Sequence, residues 1–231
     1  MNRRLALAHL LGAAFVLLAA AKVDAVLPTA DRPVRNLYLI RHGEYVKEDG
    51  CDEDVCCALD ALGRQQARLV AARLDAMPVV FTSLQTSPMS RARGTAEIIA
   101  AQMPELAPQV FPDIRECTPP TRRLDIMADL KPGEAAECEA QLRAAAERLL
   151  VPQTGDRDAH DLVVCHGNVI RWLVCRALDV DPQAWLGMSI ANCSLTIIQV
   201  KADGSCKLVA FADSGHIPWA MTTYPGVIVQ P

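Results

Sequence analysis

Two apolar runs in this chain stop in the same way: "LIRHG" at 39–43 and "VVCHG" at 163–167 each place a histidine and then a glycine where a buried strand has to end. An apolar run without polar alternates fits a strand covered on both faces, as in parallel sheets clothed by helices. Ligands of such sheets bind at the carboxyl ends of the strands. If the two strands are parallel neighbours, His42 and His166 emerge at one edge. Gly43 and Gly167 behind them let backbone approach a ligand closely.

The segments between and after these runs keep to that plan. In "LDALGRQQARLVAARLDAM" (59–77), Leu62, Leu69, Val70, Leu74 and Met77 recur at helical spacing between charges, which predicts an amphipathic helix. "VVFTS" (79–83) reads as the second strand, and "TSPMSRARGTAEIIAAQM" (86–103) as a helix opened by Pro88 or Ser90. "QVF" (109–111) is a short third strand and "DIRECTPPTRR" (113–123) an irregular loop. "GEAAECEAQLRAAAERLL" (133–150) and "VIRWLVCRAL" (169–178) are helices on either side of the fourth strand, "DLVVCHGN". "SLTIIQV" (194–200) and "CKLVAFAD" (206–213) are final strands flanking a "KADGS" turn. The expected fold class is α/β, a three-layer α/β/α sandwich with a mostly parallel central sheet.

The N-terminus is of a different kind. Arg3 and Arg4 precede seventeen largely apolar residues, Leu5–Ala21, and "VDA" before Val26 resembles a small-residue cleavage site. Residues 1–25 are therefore expected to be a signal peptide or an N-terminal membrane anchor, 26–34 a linker, and 35–231 one catalytic domain. The domain is expected to be exported, periplasmic or secreted, or tethered to a membrane by this segment, with a mitochondrial location in a eukaryotic host. No other part of the chain calls for a membrane.

A net charge of −4 with 23 Lys and Arg gives no electrostatic footprint for nucleic acid. Nine cysteines without C-x-x-C spacing signal neither a zinc site nor a complete disulfide framework. Cys51, Cys56 and Cys57 share one polar loop in which a disulfide is open, whereas Cys165, Cys175 and Cys193 read as small core residues.

Arg41 stands beside His42, and Arg91 opens the helix after the second strand. A helix N-terminus with an arginine fork suits phosphate oxygens, so these groups describe a pocket for a dianion. Glu116 follows the third strand, which puts a carboxyl group at the same rim as a general acid, with Asp113 the alternative.

"RHGE", "SPMSRARGTAEII", the post-strand "RE" and "CHGN", in that order, resemble the signature segments of the histidine phosphatase superfamily, also called phosphoglycerate mutase-like, over about residues 35–217. Within it, the C-terminal half is similar to the mutase-like protein serine/threonine phosphatases of mitochondria. The resemblance implies a metal-independent phosphomonoester hydrolase with His42 as nucleophile, forming a phosphohistidine. It implies that Arg41, Arg91 and a protonated His166 hold the phosphoryl oxygens, helped by Gly43 and Asn168, and that Glu116 protonates the leaving oxygen and then activates water. No cofactor is implied, and the partner is a phosphorylated small molecule or phosphoprotein. A mutase-type phosphotransferase and a non-catalytic module that binds a phosphorylated ligand are the alternatives. Arg122 and Arg123 either read a second anionic group of the substrate or form a solvated basic loop. His160 lies on the wrong side for catalysis, His216 reads as structural, and Trp172 and Trp185 as core.

Overall fold

The computed structural model describes residues 32–225; the expected leader, and most of the linker, lie outside them. Six strands form one sheet in the order β3-β2-β4-β1-β5-β6, where β1 is Arg35–Arg41, β2 Ser83–Thr86, β3 Pro108–Val110, β4 Ala159–Cys165, β5 Leu195–Val200 and β6 Cys206–Asp213. The first four pair in parallel, and β5 runs antiparallel to both β1 and β6. The mostly parallel sandwich expected from the sequence is what the chain forms.

The helices α1 (Ala61–Asp75), α2 (Ser90–Gln102), α4 (Glu134–Leu149) and α5 (Gly167–Ala177) cover the two faces, with a short α3 at Leu124–Ala128. Strand alternation divides the core. Tyr38 and Ile40 of β1 pack with Leu162 and Val164 against Val70 and Leu74 of α1 and Ile99 of α2. Leu37 and Leu39 pack with Val163 and Cys165 against Leu142 of α4 and Ile170 and Trp172 of α5. Trp172, Trp185, Cys165, Cys175 and Cys193 are all buried, as their apolar surroundings imply.

Two local expectations need correction. The second strand is not "VVFTS" but the more polar Ser83–Thr86, while Val80 is 83% exposed. Asp161 of β4 decides this, because its carboxylate accepts from the hydroxyls of Thr82 and Ser83 at 2.9 and 2.7 Å and starts the strand at Ser83 rather than at the β-branched pair Val79–Val80. On α1, Leu62 and Leu69 are only partly buried, and the buried stripe is Gln66, Ala67, Val70, Ala71 and Leu74. Small residues let α1 sit close to the loop after β1. A Cβ on Gly63 would stand 1.9 Å from the Glu44 carbonyl, and one on Gly43 would stand 2.5 Å from the Gly63 carbonyl. Asp60 caps the helix by accepting from the Gly63 amide at 2.7 Å. The fully buried Gln66 carboxamide accepts from the Glu44 amide and donates to the Met221 carbonyl.

Candidate active site

Parallel pairing of β1 with β4 sets Arg41 opposite Cys165, so the residues that follow, His42 and His166, leave the sheet side by side. Their ring centroids lie 5.1 Å apart and both residues are buried. The His42 backbone is tied across the sheet, its amide donating to the Cys165 carbonyl and its carbonyl accepting from the Asn192 carboxamide.

The tautomer of His42 follows from its partners. Nδ1 faces the Gly43 carbonyl at 2.8 Å, and a carbonyl only accepts, so Nδ1 carries the hydrogen. Nε2 receives the Nε–H of Arg91 at 3.3 Å, and a guanidinium only donates, so Nε2 carries the lone pair. Burial, with the charges of Arg41 and Arg91, pushes the His42 pKa well below the ordinary imidazole value. The ring therefore stays neutral, with a nucleophilic nitrogen turned toward a cationic wall. His166 is held down in the same way, by burial, by His42 and by the nearby arginines. Its Nε2 meets the Ser87 hydroxyl at 2.7 Å.

Arg91 enters from the first turn of α2, 3% exposed. Besides His42 it holds the carboxylate of Glu53 through Nη1 at 2.5 Å, and its guanidinium lies over the Tyr45 ring, 4.5 Å from the centroid. Both partners belong to the acidic loop 44–58, which is closed by a Cys51–Cys56 disulfide and docked on α2 by the Ser90 amide and hydroxyl, bonded to the Glu53 and Cys56 carbonyls. Arg41 donates to the Ile190 carbonyl at 2.6 Å.

Glu116 follows β3 and a single 3-10 turn at Pro112–Ile114. Burial raises the pKa of its carboxyl group, against the opposing pull of Arg41, Arg91, the Asn168 amide and Arg171. Among the described residues, four side-chain polar atoms are buried without a hydrogen-bond partner: Arg41 Nε, Glu116 Oε1, His166 Nδ1 and Arg171 Nε. Buried polar atoms are nearly always paired. The residues carrying these four act on one another electrostatically, so the unpaired capacity is gathered in one place and suits a ligand with several oxygens.

The structure brings together Arg41, His42, Gly43, Arg91, Glu116 and His166. The Asn168 carboxamide donates to the Cys117 carbonyl at 3.0 Å, while its backbone lies in the first turn of α5. Arg122 and Arg123 pair with Asp181 and Asp125 on the exposed surface, and neither makes a hydrogen bond to the histidine pair. Asp113, the alternative acid, is committed to a two-pronged pair with Arg148 at 2.7 and 2.8 Å. His160 bonds the Tyr38 hydroxyl, and His216 accepts from Arg73 and donates to the Cys193 carbonyl, a structural role. Sequence reasoning missed Arg171, which lies one turn after Gly167 on α5. The spacing from 167 to 171 was the available signal, because helical side chains lean toward the N-terminus. It also missed a second disulfide, Cys117–Cys138. Glu48 Oε, Cys51 Sγ and Cys56 Sγ lie close enough together to suggest metal ligands, but the two sulfurs are bonded to each other.

A family model of the histidine phosphatase superfamily (branch 1) matches residues 37–121 and 122–214. The chain is 39% identical over 190 residues to the mitochondrial serine/threonine-protein phosphatase Pgam5 of Caenorhabditis elegans, covering 80% of this chain and 64% of that protein. The protein of the same name from Caenorhabditis briggsae is 35% identical over 189 residues, covering 79% and 64%. The match thus spans slightly less than two thirds of these relatives. Among solved structures, phosphoglycerate mutase from Plasmodium falciparum superposes with a TM-score of 0.57 at 26% identity, covering 81% of this chain and 96% of that one.

Proposed function

The chain belongs to the histidine phosphatase superfamily, and from that premise we propose that it hydrolyses phosphomonoesters through a phosphohistidine on His42, without a metal ion, acting on phosphoserine and phosphothreonine side chains of proteins. The observation that carries this reading is the doubly determined tautomer of His42, which leaves the Nε2 lone pair among Arg41, Arg91 and the start of α5. A phosphoryl group entering there draws Arg91 Nε–H off the imidazole and onto its own oxygen. Arg41, Arg91 and the free amides at the N-terminus of α5 then balance its charge, and the dianion raises the pKa of His166 so that it binds as a donor.

His42 Nε2 bonds to phosphorus as the ester P–O bond breaks, and the Glu116 carboxyl gives its proton to the departing oxygen, releasing the alcohol. The raised pKa of Glu116 suits it to hold that proton. The Glu116 carboxylate then takes a proton from water, whose oxygen attacks phosphorus. The N–P bond breaks, phosphate leaves, and His42 returns to its neutral form. The names of the Caenorhabditis relatives support a phosphoprotein as substrate. Their mitochondrial location and the two disulfides support a domain carried by residues 1–25 into an oxidising mitochondrial compartment. Among the described residues no helix is long and apolar enough to cross a membrane.

The test is incubation of the full chain with phosphoserine peptides and with 3-phosphoglycerate, chelator present, followed by release of phosphate and by base quenching. Metal-independent release from peptides with a base-stable, acid-labile phosphoenzyme is expected. Phosphate exchange between positions of phosphoglycerate would make the protein a mutase, and binding without turnover would make it a phosphoryl-sensing module.

A further inference from the structure

Glu116 lies in a segment, Arg115–Pro120, that belongs to no helix or strand, so no ladder of backbone bonds holds it. Proton transfer needs the carboxyl placed to a fraction of an ångström, and that precision has to come from side chains. The carbonyl before the acid, that of Arg115, accepts from the Gln141 carboxamide of α4 at 2.7 Å. The carbonyl after it, that of Cys117, accepts from the Asn168 carboxamide of α5 at 3.0 Å, and Asn168 is itself steadied by the Arg171 guanidinium at 3.2 Å. The Cys117 side chain is bonded covalently to Cys138 of α4, one turn before Gln141 on the same face.

Building on Glu116 as the general acid, we propose that Gln141, Asn168 and the Cys117–Cys138 disulfide form one clamp that positions the acid, and that reduction of the disulfide loosens it. The side chains of the three are not among the groups that hold the transferred phosphoryl group; they act through the backbone on either side of Glu116. A dithiol reductant supplies the chemistry. One of its thiolates attacks the protein disulfide, the second closes the reductant into a cyclic disulfide, and Cys117 and Cys138 are left as two thiols. Such a change leaves the phosphate-binding arginines and His42 in place and disturbs only proton delivery. Esters with poor leaving groups should feel it and activated aryl esters should not.

The experiment measures kcat and KM of the full chain on a phosphoserine peptide and on p-nitrophenyl phosphate. Wild type with and without dithiothreitol is compared with Cys138→Ser and Gln141→Ala, with Glu116→Gln as control. Reduced wild type, Cys138→Ser and Gln141→Ala should each lose on the order of tenfold in kcat on the peptide, with KM and aryl-ester turnover within about twofold. The alkaline limb of their peptide kcat profile should move toward lower pH as Glu116 gains solvent. Cys138→Ser should no longer respond to dithiothreitol, whereas a Cys51→Ser/Cys56→Ser background should respond as wild type does. Equal losses on both esters, or a full dithiothreitol effect in Cys138→Ser, overturns the clamp. If Glu116→Gln discriminates between the esters while the clamp variants do not, the clamp alone is wrong. If Glu116→Gln affects both esters equally, the assignment of the acid is wrong and the clamp goes with it.

Discussion

Arg91 gives its Nε–H to Nε2 of His42 at 3.3 Å, so the nitrogen that would attack phosphorus is already presented to the group that would hold the phosphoryl oxygens. This contact joins the first turn of α2 to the end of β1, two elements far apart in the chain, and the Arg91 charge adds to burial and to Arg41 in holding the His42 pKa well below the ordinary imidazole value.

Replacing His42 with Ala should lower turnover by at least about 10³-fold on every ester, since the other imidazole at this sheet edge, His166, turns its Nε2 to the Ser87 hydroxyl instead of to Arg91. Base quenching of wild type and peptide mapping should place the phosphate on His42. A phosphorylated peptide containing His166 instead would reverse the two roles.

The Glu53 carboxylate occupies Arg91 Nη1 at 2.5 Å, so an incoming dianion must displace it. Glu53→Gln keeps the shape and removes the competing charge. It should strengthen inhibition by inorganic phosphate about three- to tenfold with kcat little changed, read from Ki in steady-state assays. Arg91→Ala should lower kcat/KM by about 10²-fold or more for alkyl and aryl esters alike, because it removes charge stabilisation common to both. Weaker phosphate binding in Glu53→Gln would mean that Glu53 orients Arg91 rather than competing for it.

Acid should destabilise the fold in a predictable window. His42 and His166 have pKa values lowered from 6.5, so below about that pH the unfolded chain takes up protons that the folded chain refuses. Stability is full above about pH 6.5 and falls below it, by up to about 1.4 kcal/mol per pH unit for each group, until the folded values are reached. Glu116 acts in the opposite sense. Its pKa is raised from 4.5, so its contribution is present below that value and lost as pH rises through the folded one. Urea unfolding at pH 7.5, 6.0 and 5.0 should show the net loss toward acid, with a shallower slope in His166→Gln. A flat profile would mean that both imidazoles titrate as freely in the fold as outside it.

Gly63→Ala should cost about 2–4 kcal/mol, because its Cβ would meet the Glu44 backbone carbonyl at 1.9 Å and neither α1 nor the loop can yield alone. Denaturant midpoints measure this. A stability within about 0.5 kcal/mol of wild type would show that the loop after β1 moves aside freely.

What the sequence determined by itself is the part governed by short-range rules. The two apolar runs ending in His-Gly fitted parallel, doubly covered strands, the helical spacing of apolar residues placed α1, and the opening signals at Pro88 and Ser90 placed α2. Parallel pairing then brought His42 and His166 to one edge, and the ends of neighbouring elements brought Arg41, Arg91 and Glu116 to meet them.

Tertiary structure decided the contacts whose partners are distant in the chain. Nothing local to Asp161 announces that it draws Ser83–Thr86 into the sheet in place of the more strand-like Val79–Val80. Nothing in "CTPPTRR" turns Arg122 and Arg123 toward Asp181 and Asp125, and nothing near Asn168 commits it to the Cys117 carbonyl. Periodicity and propensity report which face of an element is buried. Which polar group each side chain meets depends on how the elements dock, and the low-dielectric interior then makes every such pairing obligatory once docking has removed water.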